Sequence, residues 1–304
     1  MENSQFIWMD GQMVPWDEAQ VHVLSHGLHY GTGVFEGIRA YETDTGPTVF
    51  RLTEHMERLH RSATAYGIPL DWSVEELVGA ARRVVSVNSL PSAYIRPLVT
   101  LGTGSLSLDP QPCTTVTVIA AWTWGAYLGE EGVRNGITVG VSSWRRFAES
   151  TLIANAKGTG GYLNSVQAKL EALRAGFDEA IMLNTDGLVA EGSGENLFLV
   201  RNGEVLTPPV TAGILEGITR DSIMQLLRDD GLDVREAPLS RSDLYYADEL
   251  FFTGTAAEVT PIRAVDHRPV GSGKPGPVTR LAQELFNRAV TGKLDGYQNW
   301  LEPA

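Results

Sequence analysis

The chain has 304 residues, 43% of them hydrophobic, which is enough for two domains with ordinary cores. A net charge of −13 with no basic run argues against nucleic acid and repels anionic ligands at long range, so any bound phosphate or carboxylate needs local donors. One cysteine, Cys113, excludes an intrachain disulfide and a thiolate metal cluster; no apolar stretch is of membrane-spanning length and the Met1-Glu2-Asn3-Ser4-Gln5 start is no signal peptide, so a soluble, cytoplasmic protein is expected.

In chain order, Phe6-Ile7-Trp8 and Met13-Val14 around Asp10-Gly11 predict a hairpin. From Thr53, the spacing of Met56, Leu59, Ala63 and Tyr66 predicts a helix that stops at Gly67. Ser73-Val74-Glu75-Glu76 is a capping box opening a second helix, with Leu77, Ala80, Ala81, Val84 and Val85 on one face. Strands follow at Ala93–Thr100 and Thr114–Trp122. The glycine-rich stretch Thr123–Asn135 has no clear period and reads as an interdomain loop. Beyond it come a strand at Ile137–Ser142, a helix from about Gly161 to Ala175 and a strand at Glu179–Leu183. A tight turn at Asn202-Gly203, a helix from near Thr219, strands at Glu249–Thr253 and Val259–Val265, and a helix at Pro277–Val290 complete the pattern. Strands and helices mix without a strict βαβ rhythm, which predicts an α+β architecture. Residues 1–130 would form a smaller first domain and residues 136–304 a larger second one.

Several residues could carry chemistry. Lys157 sits among Ala154, Ala156, Gly158, Gly160 and Gly161, with no carboxylate neighbour, a setting that suits an amine forming a Schiff base. Glu191-Gly192-Ser193-Gly194-Glu195-Asn196 places carboxylates on a glycine turn, as a protonated pyridine nitrogen requires. Its spacing does not fit a calcium loop. Arg58 could meet a phosphate, and helix-start amides at Gly217-Ile218-Thr219 could assist. Thr255-Ala256-Ala257 follows a strand, and Tyr94 and Arg96 alternate onto one strand face. Each also has an ordinary explanation: a solvated lysine, a plain turn, an Arg58 paired with Glu54 on a polar helix face, capping by Thr219, core packing for the aromatics and a salt bridge for Arg96. The chain has no Walker motif, no dinucleotide fingerprint, no zinc-protease spacing and no GxSxG elbow.

Taken together in their order, longer blocks resemble a family. They are His29-Tyr30-Gly31-Thr32-Gly33-Val34-Phe35-Glu36-Gly37-Ile38-Arg39-Ala40-Tyr41, His55-Met56-Glu57-Arg58-Leu59, Ala93-Tyr94-Ile95-Arg96-Pro97-Leu98 and Trp124-Gly125-Ala126-Tyr127-Leu128-Gly129. They continue with Ala156-Lys157, Tyr162-Leu163-Asn164-Ser165, Glu191–Phe198, Gly217-Ile218-Thr219-Arg220 and Gly254-Thr255-Ala256-Ala257-Glu258. Over nearly its whole length the chain resembles the branched-chain amino acid aminotransferases, fold type IV (class IV) enzymes of pyridoxal 5'-phosphate. The resemblance implies a small amino-terminal α/β domain, a larger mixed domain carrying Lys157, and the cofactor at the domain interface. It implies that Lys157 joins the cofactor and moves the α-carbon proton. Glu191 would pair with the pyridine nitrogen and Tyr162 with the ring hydroxyl oxygen. Arg58, Ile218, Thr219 and Thr255 would hold the phosphate.

By the same resemblance Phe35, Trp124, Tyr127 and Tyr162 wall an apolar slot for a branched side chain, with Arg39 also in the substrate-binding set. Tyr94 and the amides of Thr255 and Ala256 would take the α-carboxylate, and Arg96 the side-chain carboxylate of glutamate. Tyr30, Leu106 and Leu108 would come from a neighbouring subunit of a homodimer, with a trimer of dimers as the larger assembly. The implied reaction is ping-pong transfer from L-leucine, L-isoleucine or L-valine to 2-oxoglutarate, without a metal. The same fold also serves D-amino acid or (R)-amine transaminases and a lyase branch. The Phe35–Arg39 block, Tyr94 with Arg96, and Gly125-Ala126-Tyr127 favour the L-branched-chain arrangement. The chain departs from the common pattern at Lys157-Gly158-Thr159-Gly160-Gly161-Tyr162, where Ala-Gly-Gly-Asn usually separates Lys and Tyr, and at Arg145-Arg146-Phe147-Ala148-Glu149-Ser150.

Overall fold

The computed structural model describes residues 4–125 and 128–304. It contains two compact units, both discontinuous in sequence: Met1–Trp124, Ala156–Gly161 and Ala289–Ala304 form the first, and Gly125–Asn155 and Tyr162–Arg288 the second.

The first unit is built on an antiparallel sheet in the order Leu301–Pro303, Gly46–Phe50, Ile38–Thr43, Ala93–Leu101, Thr115–Trp122, Phe6–Met9 and Gln12–Pro15. Gly33–Phe35 pairs with the far half of Ala93–Leu101, from Gly33 opposite Thr100 to Phe35 opposite Leu98. The opening hairpin turns at Asp10 and Gly11, both at positive φ, as its Asp-Gly pair predicts. The helices Leu52–Ala65 and Val74–Val87 bury the expected periodic residues, among them Met56, Leu59, Leu77, Ala81 and Val84, against Ile38, Ile95 and Ile119. The capping box is reciprocal: Glu76 N–H donates to Ser73 Oγ at 3.2 Å, and Ser73 N–H donates to the Glu76 carboxylate at 2.7 Å.

The second unit carries a mixed sheet in the order Val189–Gly192, Glu179–Leu183, Ile137–Val141, Glu258–Val265, Glu249–Gly254, Asn196–Arg201, Glu204–Thr207 and Val234–Glu236. Three neighbouring pairs in it are parallel. The Asn202-Gly203 turn is at positive φ at both residues, and the helices Tyr162–Arg174, Ile218–Asp229 and Pro277–Val290 lie where periodicity places them. The mixture of helix with antiparallel and mixed sheet bears out the α+β expectation.

The structure corrects the sequence reading in three places. Thr123–Asn135 is not all loop, because Gly129–Asn135 is a helix. Gly129, Gly132 and Gly136 hide it from a propensity argument. Tertiary contacts supply what propensity lacks: Gln283 Nε2 donates to the Val133 carbonyl at 2.8 Å and to Val259 O at 3.0 Å. Second, the short strands Gly33–Phe35, Ile38–Thr43 and Gly46–Phe50 carry too little alternation to be read locally, and the last of them is completed by Leu301–Pro303 from the far end of the chain.

Chain order also assigns the lysine segment to the second half, whereas Ala156–Gly161 packs into the first unit. Backbone bonds explain why. Gly158 bridges Val34, and Phe35 N–H donates to the Lys157 carbonyl at 3.1 Å. Gly160 N–H and Thr159 Oγ1 both donate to Gly31 O, at 3.1 and 2.7 Å.

Candidate active site

In the first unit, Lys157 is partly buried and held through its backbone. Its N–H donates to Ser62 Oγ at 3.1 Å, and its carbonyl accepts from Phe35. Its Nζ lies 5.1 Å from the centre of the buried Phe35 ring. The Arg96 guanidinium lies 4.7 Å from the same ring and 5.2 Å from the Tyr94 ring. Arg96 Nη2 donates to Tyr94 Oη at 2.9 Å, so the strand alternation does bring these two side chains together. Among the described residues, Arg96 Nε is buried without a hydrogen-bond partner. The Tyr94 ring meets Trp124 edge-on at 4.5 Å. Arg39 Nη2 donates to the Trp124 carbonyl at 3.2 Å, so Arg39 tethers that aromatic wall. Gly37 is required here, since a Cβ would stand 2.2 Å from Tyr94 Oη.

Arg58 is not on a solvated helix face: it is buried, and its guanidinium is gripped by Glu36. Arg58 Nε donates to Glu36 Oε1 at 2.6 Å and Nη2 to Oε2 at 2.9 Å. His55 Nδ1 lies 2.8 Å from Glu36 Oε2. Burial alone would push the Glu36 carboxyl up, but the charges and hydrogen bonds of Arg58 and His55 hold it well below the usual carboxylate range. Burial pushes the His55 ring below its ordinary value, against the pull of Glu36. Tyr30, Leu106 and Leu108 are exposed, with Tyr30 Oη donating to the Leu106 carbonyl at 2.8 Å.

In the second unit, Glu191 ends up buried on the short strand Val189–Gly192. Arg146 Nε lies 3.0 Å from its Oε1, while Asn196 Nδ2 and the Leu215 N–H donate to its Oε2 at 3.1 and 3.0 Å. Such a donor set fixes the orientation of the carboxylate. Gly217 occupies the cap position of the helix Ile218–Asp229, with no side chain to close the first turn; Thr219 lies within that turn and is not the cap. A Cβ at Gly217 would stand 1.9 Å from Asn196 Oδ1, which ties the helix start to the Glu191 cluster. Thr255-Ala256-Ala257 form the hairpin turn between Glu249–Gly254 and Glu258–Val265, and Tyr162 opens its helix partly buried. Tyr127 lies outside the described residues. Among the described residues no cluster of three or more His, Cys, Asp or Glu could hold a metal.

No local pattern marks Glu36, Arg146 or Asn196 for a role, whereas the i,i+3 spacing of His55 and Arg58 is a usable signal for two donors converging on one acid. Nothing local joins Arg146 to Glu191.

The chain matches the amino-transferase class IV family over residues 33–265. It is 50% identical to the branched-chain-amino-acid aminotransferase of Salmonella typhimurium, over 99% of this chain and 98% of that protein. It is similar in structure to the branched-chain amino acid aminotransferase of Escherichia coli, with a TM-score of 0.97 and 49% identity over 99% of both chains. It is also similar to a T.th. branched-chain amino acid aminotransferase complexed with N-(5'-phosphopyridoxyl)-L-glutamate, with a TM-score of 0.93 and 47% identity over 98% of both chains. The chain belongs to the class IV aminotransferases.

Proposed function

We propose that this protein is a pyridoxal phosphate-dependent branched-chain-amino-acid aminotransferase, moving the amino group of L-leucine, L-isoleucine or L-valine to 2-oxoglutarate. The observation that carries this reading is the Phe35 ring, which has the Lys157 amine at 5.1 Å and the Arg96 guanidinium at 4.7 Å. An apolar aromatic wall beside a reactive amine suits a branched side chain. An arginine at its edge suits the second carboxylate of glutamate. The named relatives of the same activity, and the phosphopyridoxyl-glutamate bound to one of them, support both halves.

The residues fit the cofactor by their chemistry: an amine, a buried cation, a fixed carboxylate and helix-start amides. When bound, the cofactor supplies an aldehyde for the amine and a ring that withdraws electrons from the α-carbon. Lys157 Nζ would hold the cofactor at its aldehyde carbon and, as a free amine, would carry the α-carbon proton. Glu191 keeps a proton on the ring nitrogen, and Tyr162 donates to or accepts from the ring hydroxyl. Arg58 and the amides at Ile218, Thr219 and Thr255 hold the phosphate, where a guanidinium and oriented N–H dipoles suit a near-dianion. Tyr94 accepts from Arg96, so its own hydrogen can be given to the substrate α-carboxylate together with the Thr255 and Ala256 amides. Phe35, Trp124, Tyr127 and Tyr162 exclude water around the side chain, with Arg39 fixing Trp124.

The active protein is a homodimer. Tyr30, Leu106 and Leu108 are 42 to 84% exposed, Val23 and Leu28 are exposed too, and a second copy would cover such apolar side chains. No helix among the described residues is long and apolar enough to cross a membrane.

Holo-protein mixed separately with L-leucine, L-glutamate, D-alanine and (R)-1-phenylethylamine tests the function. Loss of the visible cofactor band with the two L-amino acids alone is expected. Bleaching by D-alanine or the amine instead would move the protein to another branch of the family, and the lack of any cofactor band would overturn the chemistry altogether.

A further inference from the structure

Resting on the assignment of Arg58 to the phosphate, we propose that Glu36 and His55 are positioning residues that aim Arg58 at the cofactor phosphate and so govern phosphate recognition without touching the cofactor. Glu36 is fully buried between the strands Gly33–Phe35 and Ile38–Thr43, with its backbone N–H donating to the Pro97 carbonyl at 2.9 Å. Its two oxygens take Arg58 through Nε at 2.6 Å and Nη2 at 2.9 Å. That pairing uses the side edge of the guanidinium. The group is planar and rigid, so fixing this edge fixes the direction of the end-on edge, which is turned away from Glu36. His55, one helical turn before Arg58, adds a third contact at 2.8 Å to the same carboxylate. A simple counter-ion would not need a ring to hold it in place.

The same frame holds Lys157. Ser62, four residues beyond Arg58 on its helix, accepts from the Lys157 N–H, and Phe35, next to Glu36, donates to the Lys157 carbonyl. The arginine for one end of the cofactor and the amine for the other are therefore registered by one set of bonds. The rival reading is that Glu36 only neutralises Arg58 and competes with the phosphate. The two readings predict opposite signs.

The test is the ratio of affinities for pyridoxal phosphate and for pyridoxal, which lacks the phosphate. Both would be titrated into the full-length apoprotein by absorbance and tryptophan fluorescence. Glu36→Gln should lower the preference for the phosphorylated form about tenfold, the worth of a well-aligned hydrogen bond to a charged group. Glu36→Asp, which keeps the buried charge but shortens the reach, should lower it in the same direction and decides the matter if Glu36→Gln does not fold. A preference that is unchanged or raised in these variants overturns the proposal. An equal loss of both ligands leaves the ratio unchanged, marks a merely structural role and overturns it too. Arg58→Ala separates the premise from the proposal: a preference that survives it sinks the assignment of Arg58 itself.

Discussion

At the scale of single residues, Phe35 organises the candidate site, because its ring is within reach of both Lys157 and Arg96. In the proposed role Lys157 is both attachment point and proton carrier, so Lys157→Ala should lower transamination by at least about a thousandfold. Single-turnover absorbance measures this, and substantial residual turnover would place the base elsewhere. Arg96 has a different task. Its Nε is buried without a hydrogen-bond partner among the described residues, so an anion reaching it would satisfy a donor that otherwise lacks an acceptor there. Arg96→Gln should cost the glutamate half-reaction about tenfold to a hundredfold in kcat/KM, and the leucine half-reaction much less. Equal losses in the two halves would show that Arg96 serves Tyr94 rather than glutamate.

At the scale of elements, the lysine segment depends on a close backbone approach. Gly31 ends the short helix His26–Tyr30 at φ 67°, and a Cβ there would stand 2.6 Å from Gly160 Cα. Both the positive φ and the contact require glycine. Gly31→Ala should destabilise the fold by about 1–3 kcal/mol in urea unfolding. It should also reduce activity, because Gly160 is two bonded residues from Gly158, which bridges Val34. Unchanged stability and rate would mean that this contact does not hold the lysine in place. Gly158, within the sequence departure Gly158-Thr159-Gly160-Gly161, thus has a packing reason: a Cβ there would stand 2.8 Å from the Tyr66 ring.

At the scale of the whole molecule, buried acids set opposing pH dependences. Glu36 has a folded value below its ordinary 4.5, so its contribution to stability is present above that pH and lost as pH falls below it. His55 has a folded value below its ordinary 6.5, so the unfolded chain binds the proton more readily and stability erodes as pH falls below 6.5. Glu195 runs the other way. Burial and the neighbouring Glu179 charge raise it well above 4.5, opposed by the Gly194 N–H. Its stabilisation is present below 4.5 and is lost as pH rises toward the folded value. Glu195→Gln, which mimics the protonated acid, should therefore raise stability by about 1–3 kcal/mol near pH ~7.5, with the gain fading toward pH ~4. Chemical denaturation at the two pH values checks this; a gain that persists in acid would mean that packing, not protonation, is responsible.

The sequence by itself determined the α+β class, most helices and strands, and the family, because periodicity, capping and long ordered motifs are local. It also determined that Tyr94 and Arg96 share a face, since strand alternation needs no tertiary context. Tertiary structure decided the rest. It showed that Arg58 is buried on Glu36 and His55, that Arg146 and Asn196 hold Glu191, that glycine-rich Gly129–Asn135 is helical, and that Ala156–Gly161 and Leu301–Pro303 return to the first unit. These features rest on contacts between residues far apart in the chain. Their energy comes from pairing, burial and backbone registry after the ends are brought together, and no local pattern encodes it.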